Sequence, residues 1–70
     1  MTEKKLLNIA KEDIKLNGSF CIPKNHPDND LTKAQVKQFQ KEIECARKLV
    51  KKKILRIVAD DRRILGLELA

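Results

Sequence analysis

Cys21, His26 and Cys45 are the side chains of this 70-residue chain best suited to bind a soft metal or attack an electrophile. A structural zinc takes four ligands, commonly as CxxC-like pairs, and three side chains scattered along the sequence supply neither the number nor the spacing. No spacing supports a cysteine and histidine nucleophilic pair either. His26 therefore reads as a loop residue beside Pro27, and the cysteines as reduced thiols, with Cys45 exposed on the polar side of its helix. Asp28 and Asp30 are spaced like the first ligands of a calcium loop, but the glycine at its sixth position and the glutamate at its twelfth are missing. They read instead as anions that favour the positive end of a following helix. Asp60 and Asp61 would need an enclosed pocket to work as an acid and base pair, which so short a chain hardly builds, so they read as turn residues. Gly18 and Gly66 stand alone, outside any phosphate-binding loop. The expectation is a non-enzymatic chain with no metal, no cofactor and no catalytic residue.

Charge is the remaining signal. Lys and Arg number 16 against 10 Asp and Glu, a formal net charge of +6. Residues 1–30 hold five basic and five acidic side chains, and residues 56–70 hold three of each. The whole excess falls between residues 31 and 55, where Lys33, Lys37, Lys41, Arg47, Lys48, Lys51, Lys52 and Lys53 meet only Glu42 and Glu44. On a helix, Lys33, Lys37, Lys41, Lys48, Lys51 and Lys52 make a ridge roughly 30 Å long, beside and opposite an apolar stripe. The later cations also suit the negative end of the helix dipole, which gives part of the charge a purely structural reason. Such a ridge can neutralise phosphates along a nucleic-acid backbone, each contact releasing counterions. Lysine suits that nonspecific contact better than bidentate reading of bases. No aromatic residue shares the basic face, since Phe39 belongs to the apolar stripe, so stacking on single strands is not indicated.

Composition sets the frame for the elements that must hold this ridge. With 41% apolar and 37% charged residues the chain is too hydrophobic for a disordered tail, yet it has two Phe and no Trp or Tyr, so its core is aliphatic and thin. No run approaches the roughly 20 apolar residues that span a bilayer, and MTEKK is not followed by a secretory apolar segment, so a cytoplasmic setting is expected. Asn17-Gly18-Ser19 matches a glycosylation acceptor but reads as a turn.

One domain over residues 1–70 is expected, of class α+β. Residues 1–12 suggest a short helix capped by Thr2. Residues 13–22 read as a hairpin about Asn17-Gly18, a pair that tolerates the positive φ of a type I′ turn, with Ile14 opposite Cys21 and Leu16 opposite Ser19. Residues 23–31, with two prolines, read as an irregular loop. At residue 32 the helix signals coincide: Thr32 as cap, Gln35 as its capping-box partner, and Leu31 with Val36 as a hydrophobic staple. Val36, Phe39, Ile43, Ala46, Val50 and Ile54 continue as an apolar stripe through a helix of 32–53. Over 54–69 the alternation favours a second hairpin, with Leu55 opposite Leu67, Ile57 opposite Leu65 and Ala59 opposite Arg63, so that these leucines, Ile57, Ala59 and Leu69 share a face. A helix over 59–70 is the competing reading, weakened by Gly66. The architecture is a small two-layer domain, one long amphipathic basic helix packed on an antiparallel sheet made of two hairpins.

Two functions fit. The first is a small nucleic-acid-binding protein, for DNA or RNA, that contacts the phosphate backbone through Lys33, Lys37, Lys41, Arg47, Lys48, Lys51 and Lys52, with Arg62 and Arg63 of the second hairpin as auxiliary contacts. The second is a protein-interaction module or regulator, either a homodimer joined through ILGLEL as an edge strand or an inhibitor seated on an acidic protein surface. No membrane partner is expected, because the apolar stripe is needed for the core.

Overall fold

The computed structural model describes residues 2–70, as α1 (Glu3–Asn17), β1 (Phe20–Pro23), a single 3₁₀ turn (Pro27–Asn29), α2 (Lys33–Lys51), β2 (Leu55–Asp60) and β3 (Ile64–Leu69). The strands form one antiparallel sheet in the order β1-β3-β2, and both helices pack on it. The class is α+β in two layers, with a long basic helix over the sheet and a C-terminal hairpin.

The first expected hairpin is replaced by helix. α1 starts where the Thr2 hydroxyl accepts from the Lys5 N–H at 3.2 Å. It runs on through Ile14 and Leu16 to Asn17, because Leu6 and Ala10 bury one face and Leu7 and Ile14 pack against the core beside them. Gly18 then adopts φ +87° and donates its N–H to the Ile14 carbonyl at 2.8 Å, so it caps a helix rather than turning a hairpin. The same freedom of glycine serves either purpose. β1 takes its partner from the other end of the chain, with Phe20 opposite Leu67, Cys21 opposite Gly66 and Ile22 opposite Leu65.

The segment between β1 and α2 is more ordered than its prolines and Asn suggested. The Asn29 side-chain amide donates to the carbonyls of Lys24 and Arg63, both at 2.8 Å, and the Lys24 N–H also reaches the Arg63 carbonyl. This fastens the loop to the end of the β2–β3 hairpin. α2 begins with the expected capping box, Gln35 N–H to the Thr32 hydroxyl at 3.2 Å and Thr32 N–H to the Gln35 side chain at 2.9 Å. It ends two residues sooner than expected. Lys53 turns to φ +63° and Ile54 N–H bonds back to the Leu49 carbonyl at 3.0 Å, closing the helix with a lysine where glycine is usual. Its buried face centres on Glu42, Ala46 and Leu49, with Phe39, Ile43, Cys45 and Val50 packed alongside. Cys45 thus lies against the core rather than on an exposed polar side, and Ile54 is an exposed residue past the helix end.

The β2–β3 hairpin forms, but with Leu55 opposite Leu69, Ile57 opposite Leu67, Ala59 opposite Gly66 and Asp60 opposite Leu65. Val58 is an extra residue in β2, a bulge. It reverses the alternation beyond it: Ala59 turns to the helix-free side with Gly66, where a Cβ on Gly66 would come within 3.1 Å of the Ala59 Cβ. Leu55, Leu65 and Leu67 are buried, whereas Ile57 and Leu69 are 37% and 43% exposed at the sheet margin. β3 is the central strand, so ILGLEL offers no free edge, and β2 is an edge instead. The core joins Leu6 and Ala10 of α1, Phe20 and Ile22 of β1, Ala46 and Leu49 of α2, and Leu55, Leu65 and Leu67 of the hairpin.

Candidate nucleic-acid interface

α2 turns its buried face to α1 and the sheet, so its opposite arc is presented to solvent. Lys33, Lys37, Lys41, Lys48 and Lys51 are exposed there and form no ion pair among the described residues. Lys37 sits between two open depressions. One, of about 450 Å³, is lined by Asn25, Leu31, Lys33, Val36, Lys37 and Gln40. The other, of about 490 Å³, is lined by Lys5, Ala34, Lys37, Gln38 and Lys41. Four ammonium groups and three side-chain amides therefore border two adjoining hollows, a donor-rich surface suited to anions. Lys5 was not foreseen as part of this surface. It comes from α1, one residue before the buried Leu6, and only the packing of α1 across α2 reveals it.

The other expected basic residues are placed differently. Lys52 holds Glu3 at 3.1 Å, tying the end of α2 to the start of α1. Arg47 faces Asp60 at 3.7 Å, and Lys24 also pairs with Asp60. The bulge makes this possible, since without the extra residue Asp60 would face away from α2. The ammonium of Lys24, helped by the Arg47 guanidinium, holds the Asp60 carboxyl below the usual aspartate value of 3.8. Asp61 accepts from the N–H groups of Ile64 at 2.9 Å and Arg63 at 2.8 Å, which also lowers its pKa and shapes the turn. Arg62 and Arg63 stand exposed at that turn, whose backbone Asn29 anchors. The lysine arc and the arginine tip thus lie on a common frame, while Arg47 and Lys52 are engaged within the fold.

Glu42 is the exception in the interior, 6% exposed among apolar neighbours, and burial raises its pKa above 4.5 despite a hydrogen bond from Gln38. Cys21, His26 and Cys45 lie on β1, the loop and α2 respectively. Among the described residues no group of three or more His, Cys, Asp and Glu side chains could hold a metal ion. His26 accepts the Asp28 N–H at its Nδ1, 3.1 Å away, and so caps the 3₁₀ turn. No helix of the described residues is long and apolar enough to cross a membrane. Known protein families, curated proteins and solved structures were compared with the chain, and none matches.

Proposed function

We propose that the chain is a small non-enzymatic nucleic-acid-binding protein of the cytoplasm, holding phosphate backbone on the lysine arc of α2. The supporting observation is the partition of charge: Lys33, Lys37, Lys41, Lys48 and Lys51 keep exposed, unpaired ammonium groups, whereas Lys24, Arg47, Lys52 and Arg56 pair with acids. Lys5 and the exposed Arg62 and Arg63 extend the surface. Each neutralised phosphate contributes about 0.9 to the slope of log affinity against log salt. Replacing Lys37, Lys41 and Lys48 together by Gln should lower that slope by nearly three and weaken binding on the order of a few hundredfold at ~0.1 M salt. The melting temperature should stay put, because the three side chains face solvent. Fluorescence anisotropy with a labelled nucleic acid over a salt series reads both quantities. A triple variant that binds as tightly as the parent removes α2 from the binding surface.

One observation favours the protein-interaction reading. Ile54, Ile57, Val58 and Leu69, four exposed apolar side chains, cluster on and beside edge strand β2. A dimer mass and a melting temperature that rises with concentration are the results that reading requires.

A further inference from the structure

The lysine arc suits phosphate, and the hollow on one flank of it suits more than phosphate. Between the end of β1 and the middle of α2 the chain carries five side-chain amides, Asn25, Asn29, Gln35, Gln38 and Gln40. Three serve the fold: Asn29 donates to the Lys24 and Arg63 carbonyls, Gln35 closes the capping box and Gln38 bonds to Glu42. The amides of Asn25 and Gln40 are exposed, make no hydrogen bond among the described residues, and line the same hollow. Half-buried Leu31 and Val36 give that hollow of about 450 Å³ an aliphatic lining, and Lys33 and Lys37 stand beside them. The hollow across Lys37 is built differently. It offers three ammonium groups, those of Lys5, Lys37 and Lys41, with Ala34 as its one aliphatic residue and with Gln38, whose amide is already engaged. One side of Lys37 therefore suits phosphate alone, and the other joins aliphatic carbon, two free amides and two ammonium groups. A nucleotide has the matching parts. Its base presents flat apolar faces and an edge of donors and acceptors that Asn and Gln amides meet in pairs, and its phosphate takes ammonium. A base stacked and paired in a continuous duplex cannot enter, whereas one already unpaired turns out of the stack at least cost. Phe20 is buried and Phe39 packs against the core, so no ring stacks a run of bases and the hollow takes a single one.

We infer that the hollow lined by Asn25, Leu31, Val36 and Gln40 is a nucleotide site, which holds one unpaired base while the adjoining phosphates rest on Lys33 and Lys37 and lead across to Lys5 and Lys41. This rests on the phosphate-binding reading above and names what that surface selects. The test uses the whole chain and three labelled duplexes of one sequence, each made in DNA and in RNA: fully paired, with one extra unpaired adenine nucleotide, and with that nucleotide abasic, its sugar and phosphate kept. In at least one of the two chemistries the adenine bulge should bind about tenfold tighter than both the abasic bulge and the continuous duplex. The two bulged probes should share one salt slope, because they carry the same phosphates. Asn25→Ala together with Gln40→Ala should bring the adenine probe down to the abasic level and leave the slope and the melting temperature as in the parent. Equal affinity for the adenine and abasic bulges in both chemistries, or a preference that survives the loss of both amides, overturns the nucleotide site. If binding still falls in the Lys37, Lys41 and Lys48 variant, the phosphate-binding reading survives that result. Failure to bind any probe at low salt overturns both.

Discussion

The outer arc of α2 and the corner where β2 meets α2 hold the same residue types and treat them in opposite ways. In the corner both acids have partners: Asp60 lies between Lys24 and Arg47, and Asp61 takes two backbone N–H groups. On the arc five lysines stand side by side and none makes an ion pair among the described residues, although Glu44 lies between Lys41 and Lys48 on the same face. Like charges at helical spacing repel by a few tenths of a kcal/mol per pair, so the arc weakens the fold slightly and the corner does not. Lys48 and Lys51, in the last turn, regain part of that cost from the helix dipole, whereas Lys33, Lys37 and Lys41 lie too early in the helix to do so. On the proposed function, the difference separates charge held for an outside ligand from charge used to position elements.

Single substitutions test that separation directly. On the proposed function, Lys37→Gln should weaken nucleic-acid binding about tenfold at ~0.1 M salt and leave the melting temperature unchanged. Arg47→Gln should cost less affinity, because its guanidinium is already directed to Asp60, and should lower the melting temperature instead. Paired anisotropy and thermal melts on the two variants decide it. Equal affinity losses would mean that the Asp60 contact yields to phosphate and that the corner belongs to the interface.

How much of this was legible follows from the range over which each feature is determined. Thr32, Gln35, Leu31 and Val36 determine the start of α2 within six residues, so the helix and its charge could be read directly. The β2–β3 hairpin was legible too, from its alternation, but its register was not, because nothing local announces that Val58 is bulged or that Ala59 and Gly66 approach so closely. Asn17-Gly18 is ambiguous by chemistry: a glycine at positive φ closes a helix or turns a hairpin. The choice fell to Leu6, Ala10 and Ile14, which bury together only when the helix continues, and to β3, which supplies β1 with a partner more than forty residues away. Lys5 escaped for the same reason, since its neighbours Lys37 and Lys41 come from an element that only tertiary packing brings near.

A smaller effect is expected from the interior of α2. Glu42 occupies the centre of the buried face, where a carboxylate loses its hydration and finds only Gln38. Its pKa is higher folded than unfolded, so the folded state takes up a proton first as pH falls. Stability therefore rises as pH drops through the raised folded value and levels off below 4.5, opposite to the usual carboxylate. Glu42→Gln should raise the melting temperature at neutral pH and abolish that rise, since a neutral amide keeps the shape and the bond to Gln38. Thermal melts between pH ~4 and ~7 check both points. A lower neutral melting temperature in the variant would show that the carboxylate is stabilising at neutral pH and would overturn this sign.

The smallest effect belongs to the corner itself. Asp60 has a folded pKa below 3.8, owing first to Lys24 and then to Arg47. Its contribution to stability is complete above that unfolded value and is lost as pH falls through the folded one. Asp60→Asn should flatten this part of the acid limb and leave a remainder due to Asp61, whose pKa is lowered by the turn N–H groups of Ile64 and Arg63. At neutral pH the same variant frees Lys24 and Arg47 and removes a negative charge from the edge of the basic surface. Nucleic-acid binding at low salt should then tighten slightly while the fold weakens slightly. Opposite movements of affinity and stability from one substitution are what the partition of charge requires; if both fall together, Asp60 supports the binding surface by holding the hairpin, and with it Arg62 and Arg63, in place.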